Sequence, residues 1–152
     1  MTKGLSYIFL LLSFSAFAQT DTAQADFRLK VNASFTVDQG TYDGFTVVLT
    51  QDSIPIDTVY GRSQNTFLLD YNHKYVLTLS KEGYISKSVT ILTSGLTKEI
   101  WNEGTDDILF SMTIFQPSKN KNKKDQIPVY VYYYDTNLDG FNYNVTYKTV
   151  DK

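Results

Sequence analysis

The sequence predicts an all-β sandwich of about seven strands, extended by a C-terminal β-hairpin. Two observations carry this. Residues 66–92 read as strand, tight turn, strand, glycine turn, strand, and residues 27–38 alternate apolar and polar residues without a break. A period of 2 over such lengths is the mark of strands with one buried face. No helical i, i+3, i+4 spacing competes with it in 66–92.

Residues 1–18 have the features of a secretory signal peptide. Lys3 makes a positive start, an apolar run extends from Leu5 to Phe17, and Ala16-Phe17-Ala18 is a small-x-small cleavage site before Gln19. The run is shorter than the ~20 residues that span a bilayer, so cleavage is expected, with no transmembrane span in the mature chain. No cysteine follows the cleavage site, which excludes lipid attachment there. Residues 19–26 are polar and read as a flexible lead. Residues 27–149 are then long enough for one domain, including the hairpin of 127–149, and need no covalent staples. The chain has no cysteine, so disulfides and thiolate chemistry are excluded.

In the first strand Phe27, Leu29, Val31, Ala33, Phe35 and Val37 share one face. Residues 39–44 are a turn, and Phe45, Val47 and Leu49 mark the next strand. Pro55 lies within the run from Ile54 to Tyr60. Proline cannot donate to a ladder, so this is an edge strand or one that begins at Ile56. Tyr75, Leu77 and Leu79 share a face, as do Ile85, Val89 and Ile91, with Lys87 the exception among them. Asn72-His73 is a turn, and Glu82-Gly83 is placed where a connection needs positive φ. Leu96 to Trp101 reads as one helical turn or an irregular crossover, and the lone Trp101 as a core plug at a sandwich end. Ile108, Phe110, Met112 and Ile114 alternate as a further strand, and residues 117–126 are a loop.

The last two strands, 127–134 and 141–149, are joined by Thr136 to Gly140. Val129, Val131 and Tyr133 are expected to face the core, together with Phe141, Tyr143, Val145 and Tyr147. Tyr130, Tyr132 and Tyr134 then form an outward ladder beside Asn142, Asn144 and Thr146. Exposed tyrosine rows anchor peptides or stack on sugar rings, so these three are the candidate partner-binding residues.

A strand ending in Lys81-Glu82-Gly83-Tyr84, followed by a strand of Ser, Lys, Val, Thr and Ile, resembles the carboxypeptidase regulatory-like domains, which belong to the transthyretin-like (prealbumin-like) β-sandwiches. The matching residues are Tyr75, Leu77, Leu79, Lys81, Gly83, Tyr84, Val89 and Ile91. The resemblance is specific over 66–92 and looser over 27–65. Beyond residue 93 the chain resembles only the small exported proteins of Gram-negative bacteria that carry such a domain. The usual Gly-x-Phe lead-in is Asn65-Thr66-Phe67 here. The resemblance implies a transthyretin-like topology and a module that mediates protein contacts or serves as a folding and spacer unit.

Charge and side-chain inventory narrow the function further. There are 14 Lys and Arg against 16 Asp and Glu. Setting aside Lys3 and the loop lysines Lys119, Lys121, Lys123 and Lys124 leaves nine cations, so the body of the domain is acidic. That argues against nucleic acid as a partner. One histidine, His73, lies in a turn with no nucleophile motif, so an enzyme is not expected. The transthyretin-related hydrolases use several histidines and a distinctive C-terminal tetrapeptide, and neither is present. Asp135-Thr136-Asn137-Leu138-Asp139-Gly140 matches the first half of a calcium loop, with Asp135, Asn137 and Asp139 as the weak candidate ligands. The twelfth position is Thr146 rather than Glu, and a hairpin turn explains the same residues. No cofactor is expected. The expectation is a non-enzymatic structural or protein-binding module, exported to the periplasm or cell surface, with an envelope or outer-membrane protein as partner. A glycan-binding module using the tyrosine face is the alternative.

Overall fold

A computed structural model describes residues 27–118 and 125–150 of the chain. The expected signal peptide, the flexible lead and the lysine-rich loop lie outside the described residues. β1 (Leu29–Val37) buries every second side chain from Leu29 to Val37. β2 (Thr46–Gln51) and β3 (Ile54–Tyr60) form a hairpin whose two loop residues, Asp52 and Ser53, have φ of 49° and 73°. These left-handed values are what a two-residue type I′ connection requires. β4 (Gln64–Leu69), β5 (Lys74–Ser80) and β6 (Lys87–Leu92) follow as three strands separated by turns. Asn72 (φ 64°) and Gly83 (φ 77°) make the left-handed turns placed there by the sequence.

The chain then crosses over through α1 (Lys98–Glu103), capped by Thr97, whose side chain accepts from the Ile100 N–H. β7 (Ile108–Ile114), β8 (Asp125–Asp135) and β9 (Gly140–Val150) complete the described chain. The last two strands are longer than the alternation indicates, and β8 begins inside the expected loop.

The strands form two sheets of unequal width. One has three strands in the order β4-β1-β7; the other has six in the order β3-β2-β5-β6-β8-β9. The architecture is therefore an all-β sandwich. β1–β7 and β6–β8 are parallel pairs, and the other neighbours are antiparallel. β3 is an edge strand, as Pro55 requires, and its pairing with β2 is interrupted by an irregularity between Leu49 and Thr50. Among the described residues no helix is long and apolar enough to cross a membrane.

The core lies between the sheets, with Val31 and Phe35 of β1 on one side and Val47, Leu77, Leu79, Val89 and Ile91 on the other. Trp101 closes one end. It is 2% exposed, donates its indole N–H to the Phe27 carbonyl at 2.8 Å, and meets the rings of Phe27 and Tyr71 at 5.2 and 5.5 Å. Thr93 is buried too. Its hydroxyl donates to the Asp70 carbonyl at 2.8 Å and accepts from the His73 N–H at 2.9 Å, which fastens the β4–β5 turn to the end of β6. Lys87 stands on the core-facing side of β6 at the rim, its ammonium 4.5 Å from the Phe115 ring centroid, and burial pushes its pKa below the usual lysine value.

Candidate functional site

The site is built by the β8–β9 hairpin, whose register decides what each side chain faces. Asp135 pairs with Gly140, leaving four residues in the turn. Tyr134 is therefore opposite Phe141, Tyr132 opposite Tyr143, Tyr130 opposite Val145 and Pro128 opposite Tyr147. Residues directly opposite on paired strands share a face. The parallel pairing with β6 then sets the direction of that face. Tyr130 is beside Val89 and Tyr132 beside Ile91, both of which are buried in the core.

Tyr130, Tyr132 and Tyr134 thus point inward, which corrects the expectation of an outward ladder. Val129, Val131 and Tyr133 occupy the outer face, opposite Thr146, Asn144 and Asn142. The expected five-residue connection from Thr136 to Gly140 is one residue too long. A change of one residue in register exchanges the two faces of a strand.

A second correction concerns β9. Phe141, Tyr143, Val145 and Tyr147 share a face, as expected, but only Phe141 packs against the core. Tyr143, Val145 and Tyr147 are 51%, 38% and 68% exposed. The cause is the difference in sheet width: among the described strands the narrow sheet ends at β7, and the inner face of the wide sheet continues beyond it. Tyr134 lies in the core, Tyr130 and Tyr132 lie partly covered at its margin, and β9 overhangs.

The overhang is aromatic and continuous with the core. The Phe110 ring of β7 meets Tyr132 at 5.8 Å, Tyr132 meets Tyr143 at 5.4 Å, and Tyr130 meets Tyr143 at 5.9 Å. Burial raises the Tyr132 phenol above the ordinary tyrosine pKa, and the neighbouring Tyr143 and Tyr130 add to the shift. Two hollows of about 240 and about 400 Å³ lie along this margin and share Leu109, Tyr132 and Tyr143. Together they form one groove beside the outer edge of β7. Leu109, 73% exposed, forms its rim.

The described lining is acidic at one end, with Asp106, Asp107 and Asp139, and includes no lysine or arginine. Asp107 is held by Lys30 at 3.2 Å and by the Asn32 amide at 3.1 Å. Tyr130 and Tyr132 therefore line the groove from within, and Tyr134 supports it. Leu109, Phe110 and Tyr143 also line the groove; the alternation places Phe110 and Tyr143 on inward faces, but marks none of the three as a binding residue. The signal available for Leu109 was its place on the polar side of an alternating strand.

The calcium-loop candidate forms a compact turn. An Asp135 carboxylate oxygen accepts from the Asn137 N–H at 3.0 Å, and this bond is the first cause of the lowered Asp135 pKa. Asp139, at φ 51°, accepts the Tyr134 hydroxyl. These are the contacts of an Asx-turn closing a hairpin. Among the described residues no group of three or more His, Cys, Asp or Glu is placed to hold a metal ion.

His73 is engaged structurally as well. Asp52 takes the Lys74 N–H at 3.0 Å and the His73 ring nitrogen Nδ1 at 2.5 Å, which ties the β2–β3 turn to the start of β5. The backbone bond from Lys74 is the larger reason that the Asp52 carboxyl is held below its usual pKa, with His73 second. No model of a known protein family matches the chain, and no curated protein matches it.

Proposed function

We propose that the chain is a non-enzymatic binding module that holds a protein partner in the groove between β7 and the β8–β9 hairpin. The observation that carries this reading is the aromatic floor left beyond the edge of the three-stranded sheet. Large, stiff aromatic side chains supply much of the energy of protein interfaces at little entropic cost, and contiguous exposed apolar surface marks interaction sites. Tyr143, Val145 and Tyr147 carry that surface, with Tyr130 and Tyr132 beneath its inner margin.

The signal-peptide features of residues 1–18 support export to the periplasm or cell surface, and hence an envelope or outer-membrane protein as the partner. The Lys81-Glu82-Gly83-Tyr84 motif and the strand that follows support kinship with the carboxypeptidase regulatory-like, transthyretin-like domains. Such a likeness informs the fold more than the function, so the functional reading rests on the groove.

A photo-crosslinking amino acid placed at position 143 tests the reading, with the same group at Tyr60 as a control. Tyr60 is the more exposed of the two, 69% against 51%, and sits on β3, the opposite edge of the wide sheet. In cells exporting the chain, the expected result is a discrete, protease-sensitive adduct from position 143 and none from position 60. A glycosidase-sensitive adduct would favour the glycan alternative, and equal labelling at both positions would refute the site.

A further inference from the structure

We infer that the groove takes its partner as an added β-strand: an extended segment of the partner, alternating apolar residues with a Lys or Arg near one end, that pairs with the free edge of β7 and lies on Tyr143 and Val145. This rests on the binding reading above and specifies its mode. Among the described strands β7 is bonded only to β1, so its other edge presents main-chain donors and acceptors to the groove. An open edge of this kind is a template for a further strand.

Two of the edge strands, β3 of the wide sheet and β7 of the narrow one, differ in how they are guarded. β3 carries Pro55 and pairs irregularly with its neighbour, and both features discourage edge pairing. β7, with the sequence Ile-Leu-Phe-Ser-Met-Thr-Ile, has no proline or charge and pairs with β1 in unbroken register.

The spacing fits one strand. Neighbouring strands lie about 4.8 Å apart within a sheet, and packed sheets about 10 Å apart. Phe110 of β7 already stands over Tyr132 of β8. One step outward from β7 therefore lies over β9, where Tyr143 and Val145 are half-exposed. A single added strand would complete the cover that the narrow sheet lacks. The charge follows from Asp106 and Asp139 at the end of the groove nearest the start of β7, with no basic residue among the described lining residues. A sugar ring is the poorer fit. The Tyr132 and Tyr130 rings are inclined to Tyr143 by 40° and 59°, so they offer no common plane for stacking.

The test uses the full chain as bait for a displayed library of random ten-residue peptides. Selected peptides should alternate apolar residues and carry a Lys or Arg toward one end. A selected peptide should slow amide exchange at least tenfold at Leu109, Ser111 and Thr113, whose N–H groups point away from β1. N-methylation at alternate backbone positions of the peptide should weaken binding tenfold or more. Tyr143→Ser should do the same in a domain that still melts cooperatively.

Peptide binding that leaves the exchange of Leu109, Ser111 and Thr113 unchanged would overturn strand addition while leaving the binding module standing. Slow exchange at Leu109, Ser111 and Thr113 without peptide would show that the edge is already paired, by residues 19–26 or by a second copy, and would also overturn it. Deletion of 19–26 and sedimentation would identify which. No enriched peptide together with no adduct at position 143 would remove both readings.

Discussion

Tyr132 and Tyr147 share one face of one hairpin, yet they should respond to the same substitution in different ways. Tyr132 lies at the core margin, with Phe110 and Tyr143 against its ring and Ile91 beside it on β6. Truncating a fully buried large aromatic costs about 3–5 kcal/mol. Tyr132 is only half-buried, which takes that to roughly half, so Tyr132→Ser should cost about 2 kcal/mol, including its two ring contacts. For a domain of this length that corresponds to a fall of about 8 °C in melting midpoint. Tyr147 is 68% exposed. Its replacement should stay within about 0.5 kcal/mol of the parent, as surface substitutions do. Circular-dichroism melts of the two variants, with urea midpoints as a second measure, give the comparison. If Tyr147→Ser proved the more damaging of the two, the hairpin would have the opposite register and the groove would not exist as described.

Three further outcomes are expected. Gly83→Val should destabilise by about 1–3 kcal/mol, because valine is strained at a φ of 77° although nothing lies within 4 Å of its Cβ; an unchanged urea midpoint would contradict this. Because burial raises the pKa of Tyr132 and Tyr75, their contribution to stability should be complete below the ordinary tyrosine value near 10 and decline as pH rises through the raised values. Melting midpoints should therefore fall in strong alkali, less steeply in Tyr132→Phe, and equal slopes would count against a buried phenol. Calorimetry with Ca²⁺ should show no micromolar binding, and a micromolar isotherm abolished by Asp135→Ala would establish a calcium site at the turn.

Most strands are legible in the sequence because each buries one face only. β1 is the clearest case: its apolar residues all fall on one parity, so strand and orientation come together. Pro55 marks an edge for a covalent reason, its missing N–H, and Gly83 marks a turn through its freedom at positive φ. β8 is different. Both its faces are large and partly apolar, Val129, Val131 and Tyr133 on one and Tyr130, Tyr132 and Tyr134 on the other. Alternation shows that it is a strand but not which side is covered. The choice depends on its pairing with β6 and on one residue of turn length, and neither is a local property. The groove was less legible still. It follows from how many strands each sheet recruits, so no motif in β7 or β9 announces it.

The two parallel pairings also govern when the molecule can form. β1 is central in the narrow sheet, yet its two neighbours, β4 and β7, come much later in the chain; Asn32 and Asp107, in contact across the β1–β7 boundary, are 75 positions apart. The chain must lose the entropy of closing such long loops before the contacts return anything, which places the fold among slow, non-local β-topologies. Delivered from its N-terminus, β1 lacks one flank until β7 arrives, and β6 lacks its outer neighbour until β8. Among the described strands the overhanging one comes last, so the surface proposed to meet a partner forms only after the strands that hold it in place.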